Sequence, residues 1–184
     1  MMAAEDDLAL AKSQQKQGKE YFSEKAYGEA AAAFSEAADH YQLGGKPLLA
    51  TEMKNNQSVA LLKNHQPREA LLAARDTDRV FRLAGDPRKQ AMSLANQAAA
   101  YQELKEFQQA ERMYLKAREI FLDLAEDEMQ MQIAQSLSSL KLKARDPLGA
   151  VFVMQQALEE IQQPTLRQRL LKGILSIPKA LLGR

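Results

Sequence analysis

The sequence has no cysteine and no tryptophan, and only eight glycines and six prolines among its 184 residues. Without cysteine, disulfides, thiol catalysis and thiolate metal sites are excluded. The basic and acidic residues balance at 25 and 24, so the basic excess of a nucleic-acid binder is missing and we expect no nucleic-acid partner. No apolar run approaches the roughly 20 residues of a membrane span. The start from Met1 to Asp7 is acidic and unlike a secretory signal, so we expect a cytoplasmic protein.

Residues suited to catalysis or metal binding are also scarce. His40 and His65 are the only histidines, and neither has carboxylates at the spacing of metal ligands. The one Gly-Gly pair, Gly44-Gly45, falls in a predicted helix connector, so no glycine-rich phosphate loop is present. Methionines are typical of flexible core filling. We therefore predict a protein that is not an enzyme and that has no cofactor and no metal.

A repeat of 40 residues is the strongest positive feature of the sequence. Alanine recurs at this spacing at Ala30, Ala70, Ala110 and Ala150. Further columns keep the same phase at fixed offsets before and after each alanine. They contain Gly18, Ser58, Ala98 and Ser138; Phe34, Ala74, Tyr114 and Met154; Ala37, Thr77, Ala117 and Ala157; and Tyr41, Phe81, Phe121 and Ile161. Because five columns stay in phase over four copies, they indicate a repeated structural unit.

Prolines mark a finer grid of 20 residues. Pro47, Pro67, Pro87 and Pro147 lie on this grid, and proline is well tolerated at the first position of a helix. Two of these prolines follow an aspartate that is able to cap the helix, Asp86 and Asp146. The predicted helices therefore cover residues 5–24, 27–43, 47–64, 67–84, 87–104, 107–125, 128–144 and 147–162, and a ninth starts at Pro164.

Short turns between helices of equal length predict antiparallel neighbours. One pair of such helices cannot bury both of its faces, so the pairs are expected to stack. We predict an all-α fold in which residues 1–163 form four units at about 5–46, 47–86, 87–126 and 127–163. Residues 164–184 follow as a separate C-terminal segment.

The first and third units carry a recognisable motif. They read Gly18-x-x-Tyr21…Tyr27-x-x-Ala30-x-x-x-Phe34-x-x-Ala37 and Ala98-x-x-Tyr101…Phe107-x-x-Ala110-x-x-x-Tyr114-x-x-Ala117. This pattern resembles the tetratricopeptide repeat (TPR) family over about residues 5–162. Ala74 and Met154 occupy the aromatic slot in the other two units, and the unit is longer than the family's usual ~34 residues. The resemblance, to a longer-helix subclass found in adaptor and scaffold proteins, implies a right-handed α-solenoid.

In the TPR family the first helix of each unit lines a concave groove. The resemblance places these groove positions on Lys12, Gln15, Lys16, Lys19, Glu52, Asn55, Asn56, Met92, Asn96, Gln132 and Gln135. Asn56 and Asn96 are one period apart, and a row of amides is able to bind the main chain of an extended peptide. The alternative is that both are merely solvated.

One TPR subclass grips acidic chaperone tails, but its clamp positions match here only at Asn56, so that ligand is not expected.

The leading prediction is a non-catalytic module that binds a peptide or helical segment of a partner protein, as an adaptor, scaffold or assembly factor.

The C-terminal segment suggests an alternative. It has no acidic residue and contains Arg167, Arg169, Lys172, Lys179 and Arg184. Its leucines and isoleucine share one helical face, so we predict a helix that caps the solenoid and ends at Pro178. The alternative is a structural or localising protein that self-associates, or that attaches to a membrane surface through this basic amphipathic segment.

Overall fold

The computed structural model describes residues 2–161 and 164–175, and every regular element within these ranges is an α-helix. The helices are α1 (Met2–Ser23), α2 (Tyr27–Leu43), α3 (Pro47–Lys63), α4 (Pro67–Ala74), α5 (Thr77–Leu83), α6 (Pro87–Glu103), α7 (Phe107–Asp123), α8 (Asp127–Lys143), α9 (Pro147–Glu160) and α10 (Leu166–Leu175). The all-α prediction is confirmed for this part of the chain. The predicted starts at residues 27, 47, 67, 87, 107 and 147 are also confirmed, whereas α10 begins two residues after Pro164.

The chain forms two compact units, Met1–Met113 and Tyr114–Arg184, and the division between them falls within the sequence of α7. In the first unit each helix packs on the next one along the chain from α1 to α4, and α6 packs on both α4 and α5. Helix α3 also contacts α6, so the first helices of two successive repeats are neighbours there. In the second unit α9 packs between α8 and α10.

A left-handed residue ends the helix at every turn of the 20-residue grid. These residues are Lys25, Gly45, His65, Gly85, Lys105, Ala125 and Arg145, with φ between 54° and 71°. At each turn the following N–H donates to the carbonyl five residues earlier, as from Lys46 to Tyr41 at 2.8 Å. This is the Schellman arrangement, which satisfies the last carbonyls of a helix. The next helix then begins two residues after the left-handed one.

The predicted aspartate caps are confirmed at two helix starts. The carboxylate of Asp86 accepts a hydrogen bond from the Lys89 N–H at 3.0 Å, and that of Asp146 accepts from the Gly149 N–H at 2.8 Å. Both carboxylates stand directly before a proline at the first helical position. The cap and the proline together fix where the helix begins.

The repeated columns form the interior of both units. All four alanines of the defining column are buried, and so are Tyr41, Phe81, Phe121 and Ile161 of the last column. A Cβ added at Gly18 would lie 2.8 Å from the Phe34 ring, so this column needs its smallest residue where the two helices of the first pair meet. Small residues therefore permit close approach, and aromatic residues fill the space beside them.

The prediction of one continuous helix over 67–84 is wrong. The helix stops at Ala74 and restarts at Thr77, and Asp76 between them is left-handed with φ 61°. The Ala74 carbonyl accepts instead from the Thr77 hydroxyl at 2.7 Å and from the Gln97 amide at 3.2 Å. Thr77 occupies a column that holds alanine in the other three 40-residue repeats. Its hydroxyl and the buried Gln97 replace the lost helical hydrogen bonds, which allows the break.

Opposite substitutions at two equivalent turns test the left-handed positions. Gly85→Ala is expected to lower the free energy of unfolding by about 1 kcal/mol, because a Cβ is strained at positive φ even though the space around it is open. Ala125→Gly is expected to raise it by about 0.5 kcal/mol, since relief of strain outweighs the added chain entropy. Urea denaturation followed by circular dichroism measures both. Gly173→Ala, in α10, is the control and should not destabilise.

The same substitution at two serines of one column tests the cost of an unpaired hydroxyl. Ser58 is 0% exposed, and its hydroxyl has no hydrogen-bond partner among the described residues. The Ser138 hydroxyl donates to the Ala150 carbonyl at 3.1 Å. Alanine gains equal helix propensity at both, so Ser58→Ala is expected to be more stabilising than Ser138→Ala by about 1–2 kcal/mol. Equal changes in the free energy of unfolding would contradict this assignment.

Candidate functional site

The groove positions predicted within the first compact unit, Met1–Met113, lie on three helices. Lys12, Gln15, Lys16 and Lys19 are on α1, Glu52, Asn55 and Asn56 are on α3, and Met92 and Asn96 are on α6. Helices α3 and α6 contact each other directly. We call the surface that carries these nine residues the first-helix face. Gln132 and Gln135, on α8, belong to the second unit and are treated separately.

Two polar links join α3 to α6 on the first-helix face. The Lys89 ammonium donates to the Glu52 carboxylate, and the Asn96 amide donates to the Asn55 carbonyl oxygen at 3.0 Å. Asn55 is buried, whereas Asn96 is half-buried. Sequence reasoning paired Asn96 with Asn56 by period, but its hydrogen-bond partner is Asn55. Glu52, Asn55 and Asn96 therefore help to hold two successive repeats together.

Charge and burial around Glu52 shift the pKa of two neighbours. The hydrogen bond to Glu52 raises the pKa of Lys89 more than burial lowers it, and the charge of Glu52 and the hydrogen bond to Asp86 add to the rise. Burial raises the pKa of the Tyr41 phenol, and the negative charge of Glu52 raises it further. The Tyr41 hydroxyl donates to the Gln15 side-chain oxygen at 2.6 Å, so this predicted groove residue has a partner within the chain.

A cavity of about 260 Å³ opens between α1, α2 and α3. Its apolar lining is made by Phe22, Phe34 and Val59, and its polar lining by Lys19 and Asn56. The Lys19 ammonium and the Asn56 amide bond to no other described residue of the chain. These two predicted groove residues therefore present a cation and an amide, neither bonded to another described residue, beside an apolar hollow.

A second cavity, of about 470 Å³, lies between α3 and α6. Val59 lines both cavities, and Asn96 and Gln102 contribute amides to the second. The side-chain oxygen of Gln102 is buried without a hydrogen-bond partner in the described parts of the chain. Sequence reasoning missed Val59 and Gln102. The sequence marked them only by their positions: Val59 follows Asn56 by about one turn of α3, and Gln102 follows Asn96 by about two turns of α6.

The remaining predicted residues of the first-helix face are more exposed or weakly paired. Lys12 is exposed, and Lys16 forms an ion pair with Glu20 at 3.6 Å in which both side chains are largely exposed. Such a pair contributes little to stability. Met92 is half-buried, and its sulfur lies 4.0 Å from the guanidinium of Arg88.

In the second unit, Gln132 and Gln135 are exposed on α8. They line a cavity of about 480 Å³ with Ile161 and Thr165. An ion pair missed by sequence reasoning lies in the same unit. The guanidinium of Arg118, which is 8% exposed, pairs with Glu160.

The last described helix, α10, buries none of its residues. Thr165 and Gln168 cap its start reciprocally: the Thr165 N–H donates to Gln168 at 2.7 Å, and the Gln168 N–H donates to the Thr165 hydroxyl at 3.3 Å. Of the predicted basic residues, Arg167, Arg169 and Lys172 are exposed on α10. Lys179 and Arg184, and the predicted helix end at Pro178, lie outside the described residues.

One histidine has a carboxylate neighbour that the sequence spacing did not reveal. The Nδ1 atom of His40 lies 2.9 Å from the Asp7 carboxylate, across 33 residues of chain. Within the described ranges, no three His, Asp or Glu side chains are arranged to hold a metal ion.

No helix in the described part of the chain has the length and apolarity needed to cross a bilayer.

No protein-family model matches this chain, and no curated protein is similar to it in sequence.

The raised pKa values predict how stability depends on pH. A group with a raised pKa holds its proton more tightly when folded, so its contribution is complete below its unfolded pKa and is lost as pH rises through the folded one. With reference values of 10.0 for Tyr41 and 10.5 for Lys89, the free energy of unfolding should fall above about pH 10. Tyr41→Phe should make this fall shallower in urea titrations repeated at increasing pH. Identical slopes for Tyr41→Phe and wild type would contradict the assignment.

Proposed function

We propose that this chain is a non-catalytic protein-interaction module of the TPR type, and that its first-helix face holds an extended segment of a partner protein. In this proposal the four predicted helix pairs form a right-handed solenoid, and the protein serves in the cytoplasm as an adaptor, scaffold or assembly factor. The in-phase columns and the contact between α3 and α6 support the repeat architecture.

The observation that carries the proposal is the pair of cavities on either side of Val59. One is an apolar hollow with the unpaired side chains of Lys19 and Asn56 at its wall. The other continues the surface along α3 and α6. Ligand sites combine an apolar lining with a few polar groups that orient the ligand, and this surface has both.

The chemistry of these groups favours a peptide. An amide both donates and accepts, so Asn56 is able to bond a main-chain N–H or carbonyl of any sequence. An extended segment places alternate side chains on one side, so one apolar side chain entering the Phe22–Phe34 hollow leaves its neighbours directed away. The Lys19 ammonium adds a preference for an acidic group next to that apolar residue.

The paired residues have a different role in this proposal. Asn55, Asn96, Glu52 and Lys89 already bond to one another across α3 and α6. Truncating Asn96 would leave the buried Asn55 carbonyl oxygen without its donor, so any loss of binding would be mixed with a loss of stability. The side chains of Lys19 and Asn56 bond to no other described residue, so these are the better positions to test.

The proposal predicts which variants lose peptide binding. Peptides enriched on the wild-type protein from a random phage-displayed library should bind the double variant Lys19→Ala/Asn56→Ala at least about tenfold more weakly, because hydrogen bonds to a charged group and to an amide are both lost. Val59→Trp should block the two cavities and weaken the same peptides without touching either polar group. Isothermal titration calorimetry measures each affinity.

The matched control removes one amide and one cation elsewhere in the same unit. Gln42 on α2 and Arg79 on α5 are exposed, and neither side chain bonds to another described residue. Gln42→Ala/Arg79→Ala should keep affinity within about twofold, and urea denaturation should show similar stability for all variants. Equal affinity for wild type and the Lys19/Asn56 variant would overturn the proposed site. If selection on the wild-type protein enriches no peptide beyond those that selection on the Val59→Trp protein enriches, the proposed function is overturned.

A further inference from the structure

Helix α10 turns an apolar row away from the rest of its unit. Leu166, Leu170 and Ile174 are 78%, 70% and 71% exposed, and their spacing of four residues puts them on one side of the helix. The less exposed positions Gln168 and Leu175 lie opposite Leu166 and Leu170, and α10 packs only on α9 among the contacts described for it. The helix therefore rests on the unit by one edge and leaves its most apolar side uncovered.

Cations flank this row on both sides. On a helical projection Arg169 lies beside one edge of the row and Arg167 beside the other, whereas Lys172 lies nearly opposite the row. All three are exposed, and no acidic residue follows Glu160 anywhere in the sequence. Residues 164–184 carry five basic side chains and no acidic ones, whereas the rest of the chain has 20 basic against 24 acidic. Positive charge in the sequence is thus concentrated in the segment that includes α10.

We propose that α10 is an interfacial helix that lies on an anionic lipid surface. Leu166, Leu170 and Ile174 enter the boundary between headgroups and acyl chains, and the flanking cations reach the lipid phosphates. Arginine and lysine suit this position because their aliphatic stems follow the apolar surface while their charged ends stay among the headgroups. This function is separate from peptide binding by the first-helix face and does not depend on it.

Charge complementarity favours a lipid surface over a protein partner. A protein groove would need acidic residues on both of its rims to match cations on both edges of one short helix. A negatively charged lipid surface supplies anions on both sides at once, and each nearby cation strengthens attachment about fivefold. With two flanking cations and three apolar side chains, attachment should be reversible and sensitive to salt.

Sedimentation of the 184-residue chain with vesicles tests this proposal. Vesicles of phosphatidylcholine with one-third phosphatidylserine should pellet the wild type, and phosphatidylcholine alone should pellet much less. Leu170→Asp/Ile174→Asp should reduce binding to the anionic vesicles at least about tenfold. Arg167→Ala/Arg169→Ala should reduce it roughly 25-fold at low salt and much less at high salt. Because α10 buries none of its residues, these variants should keep the wild-type fold.

The matched control is an exposed aromatic residue without flanking cations. Phe152 on α9 is 64% exposed, so Phe152→Asp removes an exposed apolar side chain and adds a negative charge outside α10. It should bind anionic vesicles like wild type. Wild-type protein that stays in the supernatant with anionic vesicles overturns the proposal. A Leu170→Asp/Ile174→Asp variant that pellets with anionic vesicles like wild type also overturns it. If light scattering shows that wild type is a dimer and this variant a monomer, while both bind vesicles equally, the row is instead a surface for self-association.

Discussion

The structure depends on a short turn whose middle residue is left-handed, because this turn recurs at a constant interval of 20 residues. Each turn satisfies the carbonyls at the end of one helix and starts the next helix at a fixed distance. Five of the helices, α2, α3, α6, α7 and α8, have 17 residues each, and residues one period apart occupy equivalent places. The buried alanine column is a consequence of this spacing, and so is the buried column of Tyr41, Phe81, Phe121 and Ile161. The position of the asparagines on α3 and α6 follows from the same spacing.

The helix starts and the core columns were predictable because signals within a few residues determine them. Proline at the first position of a helix, an aspartate cap and a repeated small residue act within a few residues, so helix starts and core columns were readable from the sequence. The break before Thr77 was not, because it depends on Gln97, which comes close only after folding. The sequence difference that accompanies it is the threonine in an otherwise alanine column.

The candidate site was predictable in its helices and not in its pairings. Period and resemblance put Asn56 and Asn96 on the same kind of surface, but they do not say which amide bonds to another side chain. The partner of Asn96 is 41 residues away in sequence, and the partner of His40 is 33 residues away. Such contacts depend on how helices are rotated against each other. Only the folded chain separates the side chains that join repeats from those, such as Lys19 and Asn56, that bond to no other described residue.

The fixed interval also limits how the length of this chain can change during evolution. A single residue deleted inside a helix rotates all later residues of that helix by about 100° and moves its alanine off the buried side. Loss or duplication of a 40-residue block keeps every turn and every column in phase. Gene variants that shorten or lengthen the array by whole blocks are therefore expected to fold, whereas small insertions within helices are expected to be selected against.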